Sequence, residues 1–385
     1  MKIVIATGIY PPEIGGPAGY VKGLATELVK RGHEVEVVTY GDGRTERHPN
    51  FEVVVISRSG GALMRYARYA KSVYKMAKTA DLVYAQGPVS EGLPAAVATL
   101  VARKPLALKI VGDFAWEQYM QSPLAETEPE SLDEFLTHNH QGKIRVYEAV
   151  ERWVAKRAKC IIVASYYMKG AVSQWRVNRE KIHVIHNAIT LQRVIGSRDE
   201  VRARLGLPTD VKLVLTAGRV IYWKRMDLAI RSVARLGGDW RLLIAGEGHM
   251  VKEWQQLAQE MGVKDRVVWL GRVDRDKLWE YMAAADVFVM PSCLETFSFV
   301  LLEALAQGCP AVISDRGGML EIAERYPPLV TVSPFGDEEA LAKAIADRRM
   351  PERADAIDLA DFSANIMTDK TEAVLKVTAG NYGPK

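Results

Sequence analysis

Apolar positions along this chain follow two alternating rhythms. Short runs rich in β-branched residues, such as Ile3-Val4-Ile5-Ala6-Thr7, give way to stretches with apolar residues spaced at helical intervals. In the first half the runs predict strands over 2–7, 34–40, 52–57, 81–85, 105–111, 160–164 and 182–185, with amphipathic helices over 17–31, 62–79, 90–102 and 142–157. In the second half strands are predicted over 211–217, 240–245, 266–270, 286–290, 310–314 and 328–332. Helices over 225–236, 249–261, 275–284, 298–307 and 338–347 separate them. Such alternation predicts parallel sheets covered by helices on both faces.

Near residues 186–200 the strand pattern yields to His186-Asn187-Ala188-Ile189-Thr190 and a charged, turn-rich stretch. A chain of 385 residues exceeds one ordinary core. The boundary therefore divides a first domain, 1–187, from a second, 188–360. A final helical pattern over about 360–378 predicts that 361–385 pack back onto the first domain. Residues 119–141, acidic through Glu126, Glu128, Glu130, Asp133 and Glu134, are expected to form an irregular surface loop.

Composition narrows the classes. The net charge of +4 is too modest to imply nucleic acid, and no recognition motif accompanies it. No uninterrupted apolar stretch approaches the roughly 20 residues that span a bilayer. Met1-Lys2 runs straight into a strand pattern, so no secretory leader is expected. Cys160, Cys293 and Cys309 have no metal-like spacing and read as core thiols of a cytoplasmic protein.

The densest chemistry lies at Glu295-Thr296-Phe297-Ser298-Phe299-Val300-Leu301-Leu302-Glu303. A helix is predicted to start between the two acids, capped by Ser298 or Thr296 and ended by Gly308. Its first turn offers unpaired N–H groups and a positive dipole end to an anion. One carboxylate lies just outside the helix and the other about a turn inside. Together they suit a phosphate and the hydroxyls of a sugar.

Gly218-Arg219 through Lys224 form a strand-to-helix loop at the carboxyl edge of the second sheet, where open α/β folds bind ligands. A guanidinium and an ammonium there suit a departing pyrophosphate. Gly246 and Glu247 form another close-approach turn, for which a ligand role and a merely tight turn are equally open. In the first domain Gly15 and Gly16 stand between a strand and a helix, without the spacing of the dinucleotide fingerprint. Asp113 ends a strand and is open to two roles, a substrate contact or base and a helix cap. Asp274-Arg275-Asp276 reads as a helix cap rather than a metal site, and no metal is expected. His186 reads as structural. Residues 62–79 carry Arg65, Arg68, Lys71, Lys75 and Lys78 without an acid, interleaved with Tyr66, Tyr69 and Tyr74. They are open to a solvated face or an anionic membrane surface.

Taken together, these residues resemble the retaining glycosyltransferases of the GT-B fold, family 4-like or group 1, over nearly the whole chain. The strongest part is Pro291 to Glu295, then Glu303-Ala304-Leu305-Ala306-Gln307-Gly308-Cys309-Pro310, then Ser314-Asp315-Arg316-Gly317-Gly318. The resemblance implies an α/β architecture of two Rossmann-like domains facing a central cleft, acceptor-binding first and donor-binding second. It implies a metal- and cofactor-independent hexosyltransferase that moves a sugar from a UDP- or GDP-sugar to a hydroxyl of a glycan or lipid-linked acceptor. The setting it suggests is cell-surface polysaccharide or glycolipid assembly, cytoplasmic and peripheral to the membrane. By the same resemblance Arg219 and Lys224 bind the diphosphate and Glu303 the ribose. Glu295 contacts the transferred sugar, amides around Phe297, Ser298, Phe299 and Val300 hold sugar and phosphate, and Gly16 lets the first domain approach the donor. Two departures stand out. Many members have a histidine where this chain reads Val111-Gly112-Asp113, so Asp113 is the candidate replacement. Their Glu-Gly-Phe-Gly run is here Glu295-Thr296-Phe297-Ser298.

Other readings are weaker. A nucleotide-sugar epimerase shares the architecture, and a phosphorylase would need a pyridoxal-type lysine that is not found. An NAD-dependent oxidoreductase, with Asp42 after the first glycines, leaves Arg219, Lys224 and both glutamates unexplained. A non-catalytic sugar-nucleotide-binding protein is separated from an enzyme by measuring turnover.

Overall fold

A computed structural model describes residues 1–13, 15–42, 48–122, 131–189, 191–348 and 357–380. Ile14, Glu126, Glu128, Glu130 and Thr190 lie outside the described residues. The chain divides into two compact units. The first comprises Met1–Gln121, Phe135–Ala188 and Asp361–Lys385, and the second Ser122–Glu134 and Ile189–Ala360.

In chain order the first unit contributes β1 (Lys2–Ala6), α1 (Gly16–Lys30), β2 (Glu34–Gly41), β3 (Glu52–Ser57), α2 (Ala62–Ala77), β4 (Leu82–Ala85) and α3 (Gly92–Ala102). Next come β5 (Leu106–Ile110), α4 (Phe114–Met120), α5 (Leu132–Thr137), which belongs to this unit only from Phe135 on, α6 (Gly142–Arg157), β6 (Cys160–Val163), α7 (Tyr166–Gln174) and β7 (Ile182–Val184). All its strands are parallel, in the order β3-β2-β1-β4-β5-β6-β7. Ile3 and Ile5, two apart on one strand face, pack with Val21, Leu24 and Leu28 of α1.

The second unit continues with α8 (Arg198–Leu205), β8 (Lys212–Ala217), α9 (Met226–Arg235), β9 (Trp240–Ala245), α10 (Val251–Glu260), β10 (Val267–Gly271) and α11 (Arg275–Ala284). It ends with β11 (Val287–Met290), α12 (Phe299–Ala306), β12 (Ala311–Ser314), α13 (Met319–Arg325), β13 (Val330–Ser333) and α14 (Glu338–Ala346). Its parallel sheet runs β10-β9-β8-β11-β12-β13. In both sheets the strand order reverses beside the first strand of the unit, the switch point at which such folds present strand ends to ligands.

The last helix, α15 (Ala364–Ala379), belongs to the first unit and packs against α1. Glu372 accepts from Arg31 at 2.9 Å and meets His33 Nε2 at 2.9 Å. Burial alone would raise its carboxyl. Hydrogen bonds from Lys376, His33 and Arg31 outweigh that and hold it down to about 2.

Two expectations need correcting. The charged stretch after residue 196 is not merely turn-rich: Ser197 and Glu200 form a reciprocal capping box that starts α8, and Gly206 ends it in the left-handed region. Part of 119–141 is ordered as α5, where Leu132 and Phe135 are fully buried, so the segment is not all irregular surface.

Candidate functional site

The site candidates of the second unit gather where β8, β9 and β11 end. After β8 the chain turns through Gly218, whose φ of +148° suits only glycine, into Arg219. The loop is pinned by backbone bonds to the next strand's turn: Gly218 N donates to Ala245 O at 3.0 Å, and Val220 N to Glu247 O at 2.8 Å. A Cβ on Gly246 would stand 1.8 Å from Gly218 O, and one on Gly248 2.0 Å from Val220 O. These glycines therefore let two loops lie backbone to backbone. Glu247 is exposed beside them.

Arg219 is exposed and engages no carboxylate among the described residues; its guanidinium lies 5.7 Å from the Trp223 ring. Lys224, one short turn on, forms an ion pair with Glu295, with both side chains largely buried. Ser292 donates to the same Glu295 oxygen at 3.1 Å. The backbone of Glu295 is held in turn by the segment 314–318. Gly318 N donates to Glu295 O at 2.6 Å, Ser314 Oγ donates to Ser292 O at 2.6 Å, and any Cβ on Gly317 would stand 2.5 Å from Glu295 O. Arg225 is largely buried and pairs with Asp227 at 2.9 Å.

Ser298, not Thr296, caps α12, accepting from Leu301 N at 3.2 Å. The N–H groups of Phe299 and Val300 have no partner among the described residues, leaving two donors at a helix N-terminus. Phe297 packs edge-on against Phe299. Within α12, Glu303 is 3 % exposed and paired with Arg275 at the start of α11. Burial pushes its carboxyl above the usual range, and Arg275 opposes the shift. Asp274 takes the expected N-cap position of α11, though its side chain makes no capping bond. It is Arg275 in that triplet that reaches the site.

In the first unit Gly15 and Gly16 open α1 as expected, and a Cβ on Gly15 would meet the Ile9 side chain. Asp113 does not present a free carboxylate. It is 3 % exposed, accepts from Trp116 N at 2.8 Å and from the Trp175 side chain, and so caps α4. Glu151, missed by sequence reasoning, takes Phe114 N at 2.7 Å and Ala115 N at 3.3 Å. Both carboxyls are raised by burial, Asp113 to about 6. His186 bonds the Ala164 carbonyl at 2.9 Å, a structural role. Ser292 and Arg275 were also missed: Arg275 acts on a partner that only the fold brings near, whereas Ser292 lies three residues before Glu295 and carries no local signal of the bond.

Comparison with known proteins bears on the fold and the family. Residues 197–348 match the family described as glycosyl transferases group 1, and residues 14–193 match glycosyltransferase family 4. An uncharacterized glycosyltransferase of Methanocaldococcus jannaschii is 30% identical over 340 residues, 84% of this chain and 82% of that protein. The α-monoglucosyldiacylglycerol synthase of Streptococcus pneumoniae is 24% identical, over 81% of this chain and 70% of its own. The crystal structure of Anabaena HepE with UDP superposes with a TM-score of 0.76 at 23% identity, covering 98% of this chain and 100% of that one.

Proposed function

This chain is a group 1, family 4-like glycosyltransferase of the GT-B fold, and from that premise we propose that it moves a hexose from a UDP- or GDP-sugar, with retention and without a metal, to a hydroxyl of a glycan or lipid-linked acceptor. The Lys224–Glu295 ion pair carries this reading. It sets a cation for a phosphate and an acceptor for sugar hydroxyls at one strand end, beside the exposed Arg219 and the two open amides of α12. On donor binding the diphosphate draws Lys224 and Arg219, and Glu295 turns to the sugar. Ribose hydroxyls donate to Glu303. The bond from the anomeric carbon to phosphate then breaks while a bond to the acceptor oxygen forms on the same face. The acceptor proton passes to the departing phosphate oxygen. The chain's contribution is positioning and stabilisation of the charge growing on phosphate.

The synthase from Streptococcus, whose name indicates a glycolipid product, supports a lipid-linked acceptor and a role in glycolipid or cell-surface polysaccharide assembly. None of the cysteines forms a disulfide and all are buried, which supports a cytoplasmic setting. No described helix is long and apolar enough to cross a membrane. The basic α2, within residues 62–79, is the proposed contact with an anionic membrane.

Calorimetric titration of UDP, GDP, ADP and TDP without metal, into wild type and Lys224→Ala, tests the donor site. One nucleotide binding at micromolar affinity and weakened roughly tenfold or more by the substitution is expected. No binding by any of the four would overturn the assignment. Binding without turnover of the matching sugar would leave a sugar-nucleotide-binding protein instead.

A further inference from the structure

In the first sheet β1 is flanked by β2 on one side and β4 on the other, so the chain reverses its direction of growth there. The loops leaving β1 and β4 diverge, and the crevice between two such strand ends is where open α/β sheets take ligands. A single carboxyl stands across it. A Cβ on Gly8, just after β1, would lie 3.2 Å from Glu91 Oε2, and one on Gly87, just after β4, 2.7 Å from Glu91 Oε1. Each oxygen therefore sits over one of the two strand ends. Close packing fixes this placement, since a Cβ on Gly92 would stand 2.2 Å from Gly87 O and the start of α3 lies against that loop.

No structural role accounts for the acid. The first unit buries Glu91, Asp113, Glu148 and Glu151. Asp113 takes Trp116 N, Glu151 takes the amides of Phe114 and Ala115, and Glu148 takes Arg152 at 3.3 Å. Glu91 pairs with no cation and receives no hydrogen bond from another residue among those described; its one donor is its own backbone N–H. It holds the N-cap position of α3 without making a side-chain cap. Burial pushes its carboxyl up from 4.5 to about 7. An ionised carboxylate so placed costs the fold stability instead of adding to it.

The groups around it are aromatic. Burial raises the hydroxyls of Tyr40 on β2 and of Tyr66 and Tyr69 on α2, and the charge of Glu91 adds to the rise in each. Two of the three are spent inside the fold: Tyr69 donates to Val38 O at 2.8 Å, and Tyr40 to Ser90 O at 2.8 Å. Tyr66 is half-buried, and the Arg65 guanidinium lies 5.7 Å from its ring centroid and from that of Tyr40.

We infer that Glu91 is a specificity-determining contact for the acceptor, its two oxygens receiving a pair of adjacent sugar hydroxyls beside Tyr66. The inference rests on the proposed transfer to a hydroxyl and names the group that presents it. A carboxylate has lone pairs and no donor, which suits two O–H groups side by side. Such a diol supplies the charge-assisted hydrogen bonds that the fold withholds from this acid. The carboxylates proposed for the donor, Glu295 and Glu303, belong to the second unit, whereas Glu91 belongs to the first.

Saturation-transfer NMR tests the contact, with the methyl glycosides of glucose, galactose and mannose as probes, with and without saturating nucleotide. At least one glycoside is expected to bind wild type and to lose roughly tenfold in affinity in Glu91→Gln, which keeps the shape and removes the charge. Two of its monodeoxy analogues, lacking adjacent hydroxyls, should bind wild type more weakly than the parent glycoside. The same analogues should bind the variant as well as the parent does, a coupling that a structural role does not produce. Melting gives a second readout. The proton that the folded Glu91 carboxyl holds is lost as pH rises through about 7, so Glu91→Gln should melt above wild type at pH 8 and by less at pH 5. A variant that melts well below wild type at pH 8 makes Glu91 structural and overturns the inference. Equal glycoside affinities in the two proteins, or a wild type that binds none of the glycosides, overturn it as well. Nucleotide titration of wild type keeps the readings apart: glycoside binding without any nucleoside diphosphate fails the donor assignment alone, and diphosphate binding without any glycoside fails this inference alone.

Discussion

Arg275 and Glu303, contributed by the first turn of α11 and the middle of α12, form an ion pair in which the carboxylate is buried and the guanidinium half-exposed. Burial raises the Glu303 carboxyl, and the guanidinium beside it opposes that rise. Arg275→Gln removes the opposing charge, so the Glu303 carboxyl should rise further. Because the proposed ribose contact needs the carboxylate, nucleotide affinity should fail at a higher pH in the variant than in wild type as pH is lowered. Titrations across a pH series read this directly. Parallel profiles offset only in affinity would show that Arg275 does not set the ionisation of Glu303.

Gly246→Ala should act through the basic loop rather than through a ligand. Its Cβ would overlap the Gly218 carbonyl, at a φ that L-residues avoid. A cost of roughly 2–4 kcal/mol is expected from strain and displacement together. Because Gly218 leads directly into Arg219, nucleotide affinity should drop with stability. Gly15→Ala meets only the movable end of Ile9 and should cost less. Thermal melts of both variants with and without nucleotide check the contrast, and equal losses would refute it.

Much of this was legible in the chain because it is local. Strands such as β1, helices such as α9 and the Ser298 cap follow from runs of a few residues, and so did the nearness of Glu295 to a helix start. What was not legible depends on long-range contact. Nothing near Arg275 marks it as the partner of an acid 28 positions on. Asp113 shows the reverse limit. A carboxylate at a strand end offers the same local signal whether it caps a helix or meets a substrate, and only Trp116, Trp175 and the enclosing fold decide.

The capping role of Asp113 has a pH signature. Burial raises its carboxyl from 3.8 to about 6, so the folded state binds a proton more tightly than the unfolded chain. By linkage this group favours folding below the unfolded value, and that stability is lost as pH rises through about 6, with a limiting slope of about 1.4 kcal/mol per pH unit. Asp113→Asn keeps an acceptor for Trp116 N and should flatten this slope while retaining turnover. Asp113→Ala should lower stability by about 1 kcal/mol through the lost cap. Turnover abolished in the Asn variant at unchanged stability would instead assign Asp113 to the chemistry.

The opposite sign applies to Glu372, which fastens α15 to α1. Its carboxyl lies at about 2 when folded against 4.5 for a free side chain, because Lys376, His33 and Arg31 together outweigh its burial. The resulting stabilisation is complete above the unfolded value and disappears as pH falls from about 4.5 toward about 2. Glu372→Gln should therefore melt below wild type at neutral pH, and the gap should close on acidification. Arg31→Gln should show the same convergence, since it removes a donor to the same carboxylate. A gap that stays constant into acid would mean that α15 is held by Met367, Leu375 and the apolar contacts around them, with the ion cluster contributing nothing measurable.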